Sequence, residues 1–274
     1  HYSGNRPILD ISDPDLVKSI LVTDFHVFSQ RSGNRDAVQY VQSMLMLFHN
    51  QPNWRTVRSM YAPMYSTTKT RRLYPMYKEC ISRLMDEMAI NCIKKSLDVK
   101  ALYLSFMMDV IVTTVFDTHT NCYGPGAAHN PFMANANAFL GRSIKRELAL
   151  NKSIISDMND CKVDLSDTNS PENKLIGLAM LSFVGGYDPI ASTLAFCSHE
   201  LAHNPDVQEQ FMAENVGKIS SHTYFPFGLG PLICPGNKYA LVITKLCLAH
   251  VIRKYRFLPI PQRPNVSLDS ESDI

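Results

Sequence analysis

Residues 225–240, FPFGLGPLICPGNKYA, place one cysteine, Cys234, in a loop of glycines and prolines that runs directly into an apolar helical stretch. This feature constrains the chain more than any other. A sulfur just before a helix N-terminus gains from the helix dipole and from converging backbone N–H groups, and both favour the thiolate. Gly228, Gly230 and Gly236 carry no Cβ, so the backbone there can approach a large flat ligand closely. Phe227 is placed to pack beside the sulfur and keep water away. The same cysteine also reads as one more buried thiol in a Gly/Pro turn, as most isolated cysteines are.

With 274 residues, 45% of them hydrophobic and 19% charged, the chain can bury a sizeable core. A net charge of +2 and the lack of a basic run exclude nucleic acid as the partner. Seven cysteines, at 80, 92, 122, 161, 197, 234 and 247, form no CxxC pair and are odd in number, which favours free thiols in a reducing compartment. Sequons at Asn151 and Asn265 point weakly the other way. The longest apolar runs, 102–116 and 175–184, are too short to span a bilayer, and Asp109 interrupts the first. The chain starts at His1, so any anchor or signal is expected upstream.

The coarse pattern is mainly α with a small β part. ILDISDPDLVKSILV predicts a short strand and then a helix capped by Asp13, with Pro14 at its first position. A second helix starts at Asn53, and a long helical pattern from about 71 to 117 passes from amphipathic to nearly all apolar, as a core helix does. Residues 123–168 are rich in Asn, Gly, Pro and Asp and read as loops. Residues 173–203 carry the strongest long-helix signal, a short helix and a loop follow, and the last helix begins near Asn237.

A thiolate in a dry, N–H-lined loop is what a haem iron takes as an electron-donating axial ligand. The loop resembles the haem-binding loop of the cytochrome P450 family, FGxGPRxCxGxxxA: Phe227, Gly228, Gly230, Pro231, Cys234, Gly236 and Ala240 all match. WRTVR, with Trp54 and Arg58 one turn apart on a helix, looks like the family's propionate-binding WxxxR. GGYDPIASTLAFCSHELAHNPDVQE, from Gly185 and Gly186 onward, looks like its oxygen-binding helix. The segments 13–31 and 107–116 are similar to microsomal members, particularly those of insects. The resemblance implies one incomplete P450-like domain over 1–274 and haem b held by Cys234 as metal ligand. Trp54, Arg58, Phe227, Gly228, Gly230, Gly236, Gly185 and Gly186 would line the cofactor, with Asp188 and Thr193 catalytic. It further implies insertion of one oxygen atom from O2 into a hydrophobic xenobiotic, lipid or hormone. Electrons would come from NADPH through a reductase, at the cytoplasmic face of the endoplasmic reticulum membrane. Lys238, Lys245, Arg253, Lys254 and Arg55 offer a basic face for such a donor, or simply a solvated one.

Four departures qualify this expectation. Leu232 stands where the family carries a propionate-binding Arg, which removes a charge-assisted bond worth roughly 1.5–3 kcal/mol. Pro189 replaces the threonine after Asp188, so the hydroxyl that relays protons is lost, and Thr193 one turn on is a poorly placed substitute. No ExxR motif occurs. The regions around 123–168 and 205–224 are shortened. Impaired turnover is therefore expected, and a non-catalytic haem-binding remnant is the second reading. A third comes from HELAH, in which His199, Glu200 and His203 fit the zinc-hydrolase pattern HExxH; Pro205 ends that helix before any third ligand at the usual spacing.

Overall fold

The computed structural model describes residues 1–3, 5–30, 53–92, 97–119, 121–124, 127, 130–134, 171–212 and 224–260. The Asp13 carboxylate accepts a hydrogen bond from Leu16 N at 2.8 Å, and Pro14 fills the first helical position, where no N–H is needed. That helix, α1 (Pro14–Lys18), widens into a π-helical turn at Ser19–Thr23. The strand expected within ILDIS lies earlier. β1 (Tyr2–Ser3) pairs antiparallel with β2 (Arg6–Pro7), and main-chain bonds between His1 and Ile8 close the hairpin. A strand needs a partner for its backbone groups, and among the described residues only this hairpin supplies one.

α2 (Asn53–Tyr61) carries Trp54 and Arg58 and tightens into a 3-10 turn at Ala62–Tyr65. α3 (Thr67–Arg72) and α4 (Tyr74–Asn91) follow. The long helical pattern is thus divided, and α5 (Val99–Val115) begins afresh where the Asp98 carboxylate accepts from Ala101 N at 3.0 Å. Leu102, Phe106, Met107, Met108, Val110, Ile111 and Val112 of α5 are all buried, so no face of it is left for water. Asp109 is 1% exposed and meets Arg83 of α4, whose Nε and Nη2 donate to its two oxygens at 2.8 and 3.1 Å. Such a two-point partner is what lets a carboxylate stay inside a core.

The single helix expected over 173–203 is two: α6 (Pro171–Gly186) and α7 (Asp188–His203), meeting at Tyr187. Both pack on α5. Inside one continuous helix Pro189 would crowd the carbonyl of Gly185; with the break at Tyr187 it falls in the first turn of α7, where its missing N–H does no harm. α8 (Pro205–Met212) leads away. A 3-10 turn at Gly230–Leu232 then precedes α9 (Asn237–Ile252), whose Ile243, Cys247, Leu248 and Val251 join the α4, α5 and α7 side chains in one core. The regions expected to be shortened, 123–168 and 205–224, fall largely outside the described residues, as do both sequons.

Candidate functional site

The cysteine loop is held by its own backbone. Cys234 N donates to Phe227 O at 2.8 Å, Gly228 N to Phe225 O at 2.9 Å, and Ile233 N to Gly230 O at 3.1 Å. Folding back this tightly puts Gly228 and Gly230 at φ of 81° and 71°, in left-handed space that side chains resist. Gly230 has a second reason to be glycine: a Cβ there would lie 2.0 Å from the carbonyl oxygen of Leu21 in the π-helical turn. It serves the packing of the loop on that turn. Gly236 differs, since nothing lies within 4 Å of where its Cβ would be.

A cavity of about 510 Å³ lies between this loop and the α6–α7 junction. The loop contributes Phe227, Leu232, Cys234, Pro235 and Gly236 to its wall; α6 and α7 contribute Leu181, Ser182, Gly185, Gly186, Pro189 and Thr193. Ile111 and Val115 of α5 and the phenols of Tyr61, Tyr65 and Tyr239 complete much of the rest. Of the residues singled out in the sequence, Cys234, Phe227, Gly236, Gly185, Gly186 and Thr193 therefore meet at one cavity. Gly228 and Gly230 shape the loop behind it.

Asp188 is not in that wall. It faces α5, where Lys100 Nζ donates to its Oδ1 at 2.6 Å and Ser192 Oγ donates to the same oxygen at 3.3 Å. Thr193 is in the wall, but its hydroxyl donates to the Pro189 carbonyl at 2.8 Å.

Trp54 is 6% exposed, in an apolar cluster with Phe25, Val57, Tyr61 and Leu181, and Leu232 packs against that cluster. The Phe25 and Trp54 ring centroids are 5.9 Å apart. Its Nε1–H is buried and has no hydrogen-bond partner among the described residues. Such a donor is costly to leave unmet and calls for an acceptor. Arg58, one turn on, is half-buried. An apolar cavity with a thiol in its wall, open space at Gly185 and Gly236, and an unmet buried donor beside it together fit a flat macrocycle bearing carboxylates. The residues present fit a haem.

The sequence reading missed the phenols. Tyr61 and Tyr65 continue the helical face of Trp54 and Arg58, a spacing that marks them in retrospect. Burial holds the Tyr61 and Tyr239 phenols well above their ordinary range, so both are O–H groups.

The HELAH histidines lie on the exposed side of α7 with ring centroids 4.2 Å apart, and His203 Nδ1 is 2.9 Å from the His199 carbonyl oxygen. Among the described residues no third His, Cys, Asp or Glu joins them in a metal-binding group. Lys238, Lys245, Arg253, Lys254 and Arg55 are all exposed, and Lys238 Nζ donates to Thr67 Oγ1 at 3.2 Å. Cys80, Cys92, Cys197, Cys234 and Cys247 are free thiols.

These features define a helical protein in which a thiol-bearing loop lines an apolar cavity. The family model described as Cytochrome P450 matches residues 1–136 and 209–273, and the chain belongs to the cytochrome P450 family. Residues 137–208, which include α6 and α7, lie outside the two matched stretches. The chain is 21% identical to Cytochrome P450 6k1 of Blattella germanica, over 96% of its own length and 60% of the relative's. It is 20% identical to Cytochrome P450 3A12 of Canis lupus familiaris, over 94% of its length and 78% of the relative's. Identity to Cytochrome P450 3A5 of Homo sapiens is 23%, over 78% of this chain and 52% of the relative. The alignment to the canine protein runs to 400 positions against the 274 residues here, so that relative carries sequence inside the matched span that this chain lacks.

Proposed function

We propose that the chain binds haem b through Cys234 and is a monooxygenase of low efficiency. The observation that carries this reading is the cavity that Cys234 shares with Gly185, Gly186 and Thr193. Bound haem would supply the dioxygen chemistry that puts one oxygen atom into a hydrophobic small molecule, the other leaving as water with two electrons drawn from NADPH. Cys234 would ligate the iron as thiolate, while Phe227 keeps water from the sulfur and Gly185 and Gly236 leave room for the ring. Trp54 Nε1 and Arg58 would donate to a propionate. Asp188 would carry protons once parted from Lys100, with Thr193 supplying a hydroxyl in the cavity wall. A reductase would dock on the basic residues beside the loop, at the cytoplasmic face of the endoplasmic reticulum membrane. No helix among the described residues is long and apolar enough to cross a membrane.

Pro189 in the cavity wall favours a second reading, a haem protein without turnover, because the hydroxyl expected there is absent. Both readings meet the same test. The chain is expressed with porphyrin supplied, its iron, haem and zinc contents are measured, and the reduced carbon-monoxide spectrum is recorded. A red-shifted, thiolate-type Soret band is expected, and it is lost in Cys234→Ser. A colourless protein, or an unchanged band in that variant, overturns both readings. Turnover with an added reductase separates them.

A further inference from the structure

A second cavity, of about 310 Å³, lies among the 3-10 turn after α2, α3, the end of α5 and the start of α9. Tyr65, Val115 and Tyr239 line both this cavity and that of Cys234, and so form a common wall. The Tyr65 and Tyr239 rings meet edge to face with centroids 5.5 Å apart. With Met64, Leu73 and Val115 they give the second cavity an apolar, partly aromatic lining. Its volume is at the low end of the about 300–1,000 Å³ usual for small-molecule sites, which suits a compact aryl ligand.

The charged groups in this wall all have one sign. Lys69 and Arg72 of α3 line the cavity, and no carboxylate does so among the described residues. The helix that carries them, TTKTRR, has three cations and no acid. Among the described residues neither Lys69 nor Arg72 forms an ion pair. The hydroxyls of the wall are engaged elsewhere. Thr114 Oγ1 donates to Val110 O at 2.6 Å and lies 3.5 Å from Tyr239 OH, while Tyr65 OH donates to Ser182 Oγ at 3.0 Å. Polar recognition of a ligand there therefore falls to the two cations. Thr114 and Val115 also bring the C-terminal end of α5, which carries roughly half a negative charge. Two full positive charges outweigh it.

We infer that this second cavity binds a small aryl monoanion, a carboxylate or sulfonate, whose rings enter the apolar wall while Lys69 and Arg72 pair with its charge. Apolar area supplies attraction to any compact aromatic body, and the cations select the anion among such bodies. The inference does not rest on the haem reading, because Lys69, Arg72 and Leu73 line only the second cavity.

The full chain is titrated calorimetrically with naphthalene-2-carboxylate and with naphthalene-2-carboxamide, a neutral body of nearly equal shape. The wild type is expected to bind the acid about fivefold or more tightly than the amide, the joint scale of two exposed ion pairs. Salt raised from about 0.05 to 0.5 M should erode that preference by screening. Lys69→Met with Arg72→Met should remove it, leaving the amide's affinity within about twofold and the denaturant midpoint unchanged, since both side chains are exposed. Leu73→Trp, which fills the cavity, should weaken both compounds. Equal affinity for acid and amide in the wild type, binding of neither, or a preference that survives loss of both cations overturns the inference. None of these outcomes bears on a thiolate-type haem spectrum, which tests the other cavity.

Discussion

Lys100 Nζ lies 2.6 Å from Asp188 Oδ1 and joins the first turn of α5 to the first turn of α7. The two side chains are 40% and 42% exposed, so the pair contributes no more than about 1 kcal/mol to stability. Its larger effect is on direction, because it holds the acid outside the cavity wall. Lys100→Met is expected to change the unfolding free energy by less than about 1 kcal/mol. Product formed per NADPH consumed should rise as Asp188 is freed. If coupling stays the same in Lys100→Met and in Asp188→Asn, Asp188 has no part in proton delivery.

The loop glycines separate folding from ligand room. Gly230→Ala places a methyl group 2.0 Å from the Leu21 carbonyl oxygen at φ 71°, and should destabilise the chain by at least about 2 kcal/mol in denaturant titrations. Gly236→Ala and Gly185→Ala meet nothing within 4 Å and should melt like the wild type. Their expected defect is in porphyrin uptake. A normal haem titration in both variants would show that the ring does not occupy the space these glycines leave.

Arg83 and Asp109 tie α4 to α5 through two short bonds. Replacing Arg83 with Met leaves a carboxylate that is 1% exposed without its cation, at a cost of about 3–5 kcal/mol. Arg83→Met paired with Asp109→Leu should recover most of that loss. Denaturant midpoints for the two single variants and the double variant measure the coupling, and simple additivity would refute it.

Alkaline pH should weaken the fold. Cys80 is wholly buried, and burial first, then the Asp109 carboxylate, push its thiol up from 9.0 to about 12. Burial raises Cys197 and Cys247 as well. The folded chain thus keeps protons that the unfolded chain releases above about pH 9. Stability is whole below that point and falls with rising pH, by at most about 1.4 kcal/mol per pH unit per group. The Cys80 contribution is lost between 9.0 and about 12. Denaturant titrations at about pH 7.5, 9 and 10.5 should show this decline, and a flat profile would contradict it.

The parts legible in the sequence were those set by local chemistry. Asp13 and Pro14 start α1 because a cap and an N1 proline act within one turn. α5 is central because its sequence leaves no polar face. The spacing around Cys234 carried the family resemblance across a short loop. What escaped depended on contacts distant in sequence. Nothing near Gly230 announces Leu21, and nothing near Asp188 announces Lys100. Pro189 stands within what the sequence shows as one long helical pattern, and the break at Tyr187 that places it in a tolerant first turn has no local signal. Tyr61 and Tyr65 were hidden for a different reason: phenols on an apolar helical face look like ordinary core until Ser182 is found beside them.

That placement of Pro189 frames the sharpest prediction. Its ring lines the cavity, while the Thr193 hydroxyl one turn on donates to the Pro189 carbonyl at 2.8 Å. Thr193 is therefore committed to its own helix, and Thr193→Ala should change coupling less than about twofold, because a hydroxyl satisfied by backbone relays little. Pro189→Thr would return a hydroxyl to the cavity wall and an N–H to the α6–α7 junction. Its effect on stability should be within about 1 kcal/mol, since a first-turn proline already avoids the usual helical penalty. In the haem-loaded protein with a reductase, product per NADPH should rise severalfold and peroxide release should fall. Unchanged coupling in Pro189→Thr, together with a large loss in Thr193→Ala, would mean that Thr193 already serves as the relay and that Pro189 does not limit turnover.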